Sequence, residues 1–295
     1  MQRIYLTKDN FTIDKAREKT GMQEGFWGTL VMPDKRRLYG LLKLDFKSEK
    51  YKGILFSTLE IFFSRLARAL ELQTAVYIPV AAVLRGEFRT DVFSKIFYEI
   101  GETPTDIYSL TNEKLSDSKP VGIVDYIKIF TSLPNGKELI YQFTEYALFN
   151  FTIMSIDYSN YNIVLLKDAN DTLRLAPMHD FSLTELTNLL RRNLSVREFS
   201  KKTVRCKNRK AFFKMSVDEN GEKSYNDGIL KLAEIYPSAA REFAMRLLDF
   251  KNAEKAHAIL YAMLSDNLTD AKTAKKIEIY CNAVVSETIR LLDFL

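Results

Sequence analysis

The sequence predicts a two-lobed α+β fold, with a small β-rich first lobe and a larger helical second lobe. The first third is rich in strand-forming runs and carries one long amphipathic helix. The remaining two thirds is dominated by apolar residues at helical spacing. Because the regular alternation of strands and helices that marks a doubly wound sheet is absent, segregated strands and helices are favoured. The predicted boundary separates residues 1–85 from residues 86–295.

The composition indicates a soluble protein of a reducing compartment. Of the 295 residues, 46% are hydrophobic, which is ample for a packed core. No stretch of about eighteen uncharged apolar residues occurs, so we expect a cytoplasmic protein without a membrane-spanning segment. Cys206 and Cys281 lie far apart in the chain, and the two histidines, His179 and His257, complete no zinc-binding pattern with them.

The net charge of +5 is compatible with nucleotide, nucleic-acid or acidic-protein partners and requires none of them. One basic run is concentrated between Arg197 and Lys214, where phenylalanines are interleaved with lysines and arginines. The favoured interpretation is a solvated face with anchoring aromatic side chains. The alternative is a docking surface for acidic or phosphate-bearing partners, nucleic acid included. Overall we expect contact with nucleic acid to be indirect or absent.

The first lobe begins with two strand-forming runs, residues 3–7 and 26–32, which flank a charged segment at 14–25. Glycines in this region allow the backbone to turn closely over a ligand, although their spacing is not Gly-x-Gly-x-x-Gly. A third run, residues 38–46, carries Lys43 among apolar neighbours. A lysine in a strand usually faces solvent. The functional alternative is a phosphate-contacting lysine, which needs an acidic partner on a nearby helix.

A helix that provides such an acid follows at residues 54–72, where apolar residues recur at helical spacing. Glu60 lies in its most apolar part, where an unpaired charge is costly. A pairing between Glu60 and Lys43 removes that cost, so we expect the two to be in contact. The next run, residues 74–84, reads as a buried strand interrupted by Pro79 and is predicted to connect the lobes, with a turn or exit at 85–88.

The second lobe is predicted to be mostly helical. A helix over residues 137–155 is apolar nearly all round and is therefore expected to be central. Pro237 suits the first turn of its helix, and Asp270 is expected to cap the last one. Other helices are predicted at residues 92–101, 124–133, 182–193, 225–236, 237–250, 252–264 and 271–294.

The stretch from Phe149 to Phe181 carries the strongest candidate for chemistry. It places Asp157 and Asn162 five residues apart, then two short strands, and then Asp180. A phosphoryl-transfer site needs one carboxylate to orient a hydroxyl group, and an amide and a carboxylate to hold magnesium over phosphates. The alternative is a pair of ordinary turns beside a core hairpin, because Asp and Asn are also favoured turn residues.

Four parts of the chain, in order, match the motifs of one family. They are a phosphate-loop segment at Gly21–Gly25, a strand ending at Leu41–Lys43, a helix at Glu60–Leu72, and the paired segments Asp157–Ile163 and Leu175–Asp180. In these segments the sequence resembles the HipA-like serine/threonine kinases, bacterial enzymes known best as toxins of toxin–antitoxin pairs. Each segment alone is weak, but agreement in their joint order is improbable by chance.

The resemblance implies a protein-kinase-like fold with ATP and Mg²⁺ as cofactors. The implied reaction transfers the γ-phosphate to a Ser or Thr of a protein substrate or of the chain itself, and a small antitoxin-like protein is an implied partner. The catalytic residues that the resemblance implies are Asp157 at the acceptor hydroxyl, Lys43 at the phosphates and Glu60 paired with that lysine. Its metal ligands are Asn162 and Asp180. Its phosphate-covering residues are Gly21, Met22, Gln23 and Lys43.

Two departures from the family pattern bear on activity. Ser159 stands where the family has a His, and Gly25 stands where it has a loop Lys. The lost lysine removes one phosphate-binding cation. The alternative to an active kinase is therefore a nucleotide-binding pseudokinase or scaffold with little turnover. Because Gly21 lies only twenty residues from the start, we also expect a compact form without the family's N-terminal β-rich subdomain.

Overall fold

The computed structural model describes residues 3–17, 25–45, 56–84, 87–99, 101–105, 123–156, 162–181, 183–192, 194–206 and 224–293. Within these ranges the predicted two-lobed α+β arrangement is confirmed. A six-stranded sheet with one helix precedes a lobe built mainly from helices. Among the described helices, none is both long and apolar enough to cross a membrane.

The first sheet places the Lys43 strand in its interior. Its strands are β1 (Ile4–Tyr5), β2 (Phe11–Ile13), β3 (Gly25–Val31), β4 (Arg37–Lys43), β5 (Tyr77–Leu84) and β6 (Glu87–Lys95), in the spatial order β1-β5-β6-β4-β3-β2. β1 runs parallel to β5, and the other neighbours are antiparallel. The register sets Lys43 opposite Gly25 and Trp27 opposite Leu41. Opposed residues share a face, so these four lie on one side of the sheet.

The two faces of this sheet have different partners. Leu30, Leu42 and Phe93 belong to a small apolar cluster on one face. The opposite face contributes Tyr77 to the main core of the protein, together with helix α1 (Phe56–Ala69). Since side chains alternate along a strand, Lys43 points away from the Leu42 cluster. The sheet thus directs Lys43 toward α1 and the second lobe.

The sheet extends further along the chain than the sequence indicated. The predicted helix at 92–101 is wrong over its first residues, because β6 continues to Lys95. The strand predicted at 74–84 is confirmed as β5, but it is an internal strand and not a connector between the lobes. The turn or exit predicted at 85–88 is wrong at Glu87 and Phe88, which belong to β6. Eight consecutive pairs between β5 and β6 decide the outcome, since strand preference depends on cross-strand neighbours. The boundary between residues 85 and 86 stays a prediction, and sheet pairing crosses it.

The second lobe surrounds one buried helix. Its helices are α2 (Ile123–Thr131), α3 (Gly136–Thr152), α4 (Glu185–Leu190), α5 (Val196–Cys206), α6 (Tyr225–Ile235), α7 (Pro237–Asn252), α8 (Lys255–Ser265) and α9 (Ala271–Leu292). A small sheet joins β7 (Thr103–Thr105), β8 (Leu165–Lys167) and β9 (Leu173–Leu175). α3 contacts α2, α6, α7, α9 and β9, which confirms its predicted central position. α5 was not predicted as a helix.

Two predicted helix ends are present. Pro237 occupies the first turn of α7, where its missing N–H costs nothing. Asp270 precedes α9, and its carboxylate accepts hydrogen bonds from the Thr273 N–H (2.9 Å) and the Thr273 hydroxyl (2.6 Å). The hydrogen bond from the Thr273 side chain lowers the pKa of Asp270. This cap therefore works best when the carboxyl group is ionised.

We expect Asp270→Ala to lower the free energy of unfolding by about 1 kcal/mol at neutral pH. Because the folded pKa of Asp270 is depressed, its contribution is present above the unfolded-state pKa of about 4 and is lost as the pH falls through the folded pKa. Urea unfolding across a pH series measures the effect. Asp249→Ala, on the exposed surface of α7, is the matched control. A difference between Asp270→Ala and the wild type that persists unchanged in acid contradicts the prediction.

Candidate functional site

Lys43 lies at the centre of the candidate site and contacts two acids. Its Nζ atom is 3.1 Å from Oε1 of Glu60 and also binds Oδ1 of Asp180. The Lys43 side chain is 7% exposed and that of Glu60 is fully buried. The ion pair expected between these two residues is therefore present. The contact with Asp180, 137 residues further along the chain, joins the two lobes at this point.

The surroundings of Lys43 keep its ammonium group charged. Burial alone lowers the pKa of a lysine, but the carboxylates of Asp180 and Glu60 outweigh it and raise the pKa of Lys43 well above its usual value. The Tyr77 ring lies 5.4 Å from the same nitrogen. Burial, followed by the Glu60 charge, raises the pKa of the Tyr77 hydroxyl, so that group stays neutral. The site thus presents one permanent cation between two acids.

The backbone around Asp180 is fixed by the first lobe. The Asp180 N–H donates to the Tyr77 hydroxyl at 3.0 Å, and the Phe181 N–H donates to Oε2 of Glu60 at 3.0 Å. Asp180 adopts a left-handed conformation (φ 59°), which Asp tolerates better than most residues. The Phe181 ring packs edge-on against Tyr77 and against Phe149 of α3. Glu60 thus holds both Lys43 and the segment that carries Asp180.

A second pair of backbone hydrogen bonds joins the segment after α1 to the segment that leads to Asp180. The Met178 N–H donates to the Gln73 carbonyl at 3.0 Å, and the Ala75 N–H donates to the Met178 carbonyl at 2.9 Å. Gln73 and Ala75 follow α1, and Met178 precedes Asp180 by two residues. The end of the Glu60 helix and the approach to Asp180 are therefore bonded through their backbones.

Asn162 reaches the same region through Tyr146 of α3. The Tyr146 hydroxyl donates to the backbone carbonyl of Asn162 at 2.7 Å. Burial, with a further contribution from the Asp180 charge, raises the pKa of Tyr146. Tyr146 thus bonds to the backbone of one predicted metal ligand and interacts electrostatically with the other. A carboxylate and an amide offer the hard oxygen donors that Mg²⁺ prefers, so the residues present fit this ion.

Several predicted site residues lie outside the described part of the chain. They are Gly21, Met22, Gln23, Asp157 and Ser159, whose roles stay predictions. Within the described ranges, no three His, Cys, Asp or Glu side chains converge as metal ligands. Asn162 is not one of these residue types, and Asp157 lies outside the described ranges. The described half of the site therefore consists of Lys43, Glu60, Asp180 and Asn162.

Comparison with known proteins identifies the fold. No protein-family profile and no curated protein matches this sequence. The crystal structure of a Helicobacter pylori proinflammatory kinase, CtkA, superposes with a TM-score of 0.72 over 99% of this chain and 97% of its own, at 13% identity. This chain has a kinase-like fold. HipA of Shewanella oneidensis, in a complex with HipB and operator DNA, superposes with a TM-score of 0.51 at 12% identity. That match covers 85% of this chain and 57% of HipA.

The first sheet carries an aromatic cluster that sequence reasoning missed. The Arg17 guanidinium lies 3.8 Å from the centre of the Trp27 ring and donates to the Tyr98 hydroxyl at 3.0 Å. Trp27 stacks on Tyr39, and the Tyr39 hydroxyl donates to Asp14 at 2.7 Å. The available signal was the position of the single tryptophan two residues after Gly25. The cluster lies on the sheet face that also carries Lys43.

The basic run of the second lobe is described as far as residue 206. Arg197 and Lys201 of α5 are exposed, while Phe199 is fully buried. The Nζ atom of Lys276 in α9 lies 5.8 Å from the Phe199 ring. This arrangement agrees with the favoured interpretation of a solvated face with an anchoring aromatic residue. Residues 207–214 lie outside the described part of the chain.

Proposed function

We propose that this protein is an ATP- and Mg²⁺-dependent serine/threonine protein kinase of the HipA-like type. It transfers the γ-phosphate of ATP to a Ser or Thr of another protein or of itself. The observation that supports this most is the position of Lys43, held by Glu60 of α1 and by Asp180 of the second lobe within a kinase-like fold. Phosphoryl transfer needs such a lysine beside a metal-binding carboxylate.

Each side chain has a distinct task in this proposal. Lys43 contacts the nucleotide phosphates, and Glu60 fixes the direction of its side chain. Asn162 and Asp180 hold Mg²⁺, which supplies neutralisation of phosphate charge when bound. Asp157 orients the acceptor hydroxyl. Since the transferred phosphoryl group needs positioning and charge stabilisation more than covalent chemistry, these groups account for the reaction.

Incubation with radiolabelled ATP and Mg²⁺ tests the proposed activity. We expect label on the protein itself or on proteins of a cell lysate, and a loss of labelling in Asp157→Asn of several orders of magnitude. Asp168→Asn is a matched control, because it makes the same chemical change at an acid outside the proposed site. Asp168 lies in the β8–β9 turn, where its carboxylate accepts a hydrogen bond from the Asn170 N–H at 2.8 Å. Labelling that is absent in the wild type, or undiminished in Asp157→Asn, counts against the proposal.

Trp27 provides a direct report on nucleotide binding. Trp27 and Leu41 lie on the sheet face of Lys43, so in the proposal they cover the base while the lysine contacts the phosphates. As the single tryptophan of the chain, Trp27 should change its fluorescence emission saturably when ATP is added. Adenosine is the control ligand and should produce the same change at higher concentration. If ATP raises the melting temperature without altering the emission, the base binds elsewhere.

The direct contact between Lys43 and Asp180 favours a second candidate, a nucleotide-binding pseudokinase or scaffold. There the carboxylate serves the lysine rather than a metal ion, in line with Gly25 and Ser159 replacing family residues. This candidate predicts that ATP stabilises the fold by mass action while no phosphate is transferred. Thermal melting with and without ATP, beside the labelling assay, separates the two. Turnover in the wild type excludes the second candidate.

We further propose a small protein as a regulatory partner. The Shewanella HipA was solved with HipB and operator DNA, and that protein supplies the analogy. For this chain, contact with nucleic acid then passes through the partner. The exposed cations of α5 provide the alternative route, which predicts direct DNA binding that weakens steeply with salt. Titration of the isolated chain with labelled duplex DNA distinguishes them.

A further inference from the structure

Asp45 lies at the junction between the Lys43 strand and the Glu60 helix. Its Oδ1 atom accepts a hydrogen bond from the Ser57 N–H at 2.8 Å, and its Oδ2 atom accepts one from the Ser57 hydroxyl at 2.9 Å. Ser57 is buried in the first turn of α1. One carboxyl group thus caps α1 from another part of the chain. This carboxyl group has no role in the proposed phosphoryl transfer.

The position of this cap couples it to the site. Asp45 follows Lys43 by two residues, and Ser57 precedes Glu60 by three, which is almost one helical turn. The two ends meet again where Lys43 and Glu60 form their ion pair at 3.1 Å. The strand end, the cap, the helix turn and the ion pair therefore form a closed ring. A shift of α1 along its axis lengthens the cap and the ion pair together.

A second layer fixes Asp45 itself. Its N–H donates to Asp91 Oδ1 at 2.9 Å, and its carbonyl accepts from the Arg89 guanidinium at 2.6 Å. Asp91 is 1% exposed, and both residues belong to β6, the neighbour of β4. Arg3, ahead of β1, also interacts electrostatically with Asp45. Within the described ranges, the charged groups found to interact with Asp45 are Asp91, Arg89 and Arg3, while α1 contributes Ser57.

We propose that Asp45 is a positioning residue, whose ionised carboxyl group holds α1 at the distance from β4 at which Glu60 orients Lys43. The inference rests on the proposed kinase function. Ionised, the carboxylate accepts both Ser57 donors and places a negative charge at the helix N-terminus. Protonated, it loses that charge and one of its acceptor sites. We call the two hydrogen bonds between Asp45 and Ser57 the clamp. Its strength consequently depends on whether the Asp45 carboxyl group is ionised.

The titration of Asp45 falls in the physiological range. Burial raises its pKa to about 7, with the Ser57 hydrogen bonds opposing the rise and Asp91 adding to it. Because the folded pKa exceeds the unfolded one, the stability that Asp45 contributes is present below the unfolded pKa and is lost as the pH rises through about 7. Burial is what makes the ionised form costly, whereas the Ser57 hydrogen bonds lower the pKa and so are stronger to the ionised carboxylate. The bonds between Asp45 and Ser57 therefore strengthen as the folded group ionises near pH 7. Catalytic rate and this stability contribution therefore move in opposite directions, which a purely structural role does not produce.

Asp45→Asn, an isosteric and non-titrating replacement, tests the proposal in the full chain. The wild-type kcat should rise with pH through neutrality. In Asp45→Asn it should stay near the low-pH value, about tenfold to a hundredfold below wild type in alkali, with a smaller change in KM for ATP. Melting temperatures in alkali should be equal or higher, since a buried charge is gone. Ser57→Ala should lower kcat in the same direction. Asp34→Asn, at an exposed acid in the β3–β4 turn, should leave the profile unchanged.

Hydrogen exchange over α1 keeps the two proposals distinguishable. In alkali, Asp45→Asn should exchange faster in residues 56–63 than the wild type, while α3 and α9 exchange equally in both. If the wild type transfers phosphate and Asp45→Asn has the same rate and pH profile, the positioning role is wrong and the kinase function stands. If the wild type transfers none, the kinase function fails. In that case unchanged exchange over α1 overturns the clamp, and faster exchange confined to α1 supports it.

Discussion

Lys43→Met should lower phosphate transfer by at least about a hundredfold and the free energy of unfolding by about 3–5 kcal/mol. The catalytic loss follows from removing the cation proposed to contact the phosphates. The loss of stability has another cause. Glu60 is fully buried, and without the lysine its negative charge loses the ion pair that compensates its burial. Labelling with ATP and denaturant unfolding measure the two effects on the same preparation.

A double variant separates these two causes. Lys43→Met with Glu60→Gln removes both buried charges, and the Gln carbonyl can still accept the Phe181 N–H that Glu60 binds at 3.0 Å. We expect most of the stability to return and the transfer to remain lost. Lys95→Met, at an exposed lysine of β6, is the matched control and should change neither quantity. Recovery of transfer together with stability would show that Lys43 serves the fold alone.

The Lys43–Glu60 pair could be predicted because the cost of burying a charge is a local argument. Glu60 lies among apolar residues of a helix, and a lysine lies among apolar residues of the preceding strand. Each explains the burial of the other. The same reasoning could not find the contact between Lys43 and Asp180, since no local pattern links positions 137 residues apart. The order of the family motifs placed both residues in one site, and the structure added the bond between them.

Other parts of the site depend on sheet register and helix packing. Trp27 shares a face with Lys43 only because β3 and β4 pair in one particular register. Tyr146 is one of many aromatic residues in α3, and its bond to Asn162 distinguishes it only after folding. The cap formed by Asp45 likewise joins it to Ser57, twelve residues further along the chain, and no local pattern links the two. These side chains carry ordinary sequence signals, so their roles follow from three-dimensional placement.

The incorrect predictions of secondary structure have similar causes. An apolar run such as that around Val92 and Phe93 suits either a helix or a strand, and its pairing with β5 decides the matter. β2 escaped prediction because it is a three-residue edge strand with largely exposed side chains. In contrast, α3 is apolar nearly all round, a pattern that only a central helix satisfies. Long periodic segments were therefore predicted well, and short edge elements were not.

Asp180→Asn should lower transfer by about two to three orders of magnitude while leaving the fold intact. Asn tolerates the left-handed backbone of this position as Asp does, so the substitution changes charge more than shape. Asp171→Asn is a closely matched control. Asp171 has φ 62° against 59° for Asp180, and its side chain is 80% exposed in a surface ion pair with Lys167. Such a pair contributes little, so this control should keep wild-type activity.

The Mg²⁺ dependence of Asp180→Asn distinguishes the two partners of this carboxylate. If Asp180 binds the metal ion, the variant should need a higher Mg²⁺ concentration for its residual transfer, because a neutral amide is a weaker ligand than a carboxylate. If Asp180 acts only through Lys43, the rate should fall while the Mg²⁺ requirement stays unchanged. Transfer at the wild-type rate and Mg²⁺ requirement would remove Asp180 from the site. Since Asp171→Asn repeats the same chemical change at a similar backbone conformation, any difference between the variants reports on the surroundings of Asp180 itself.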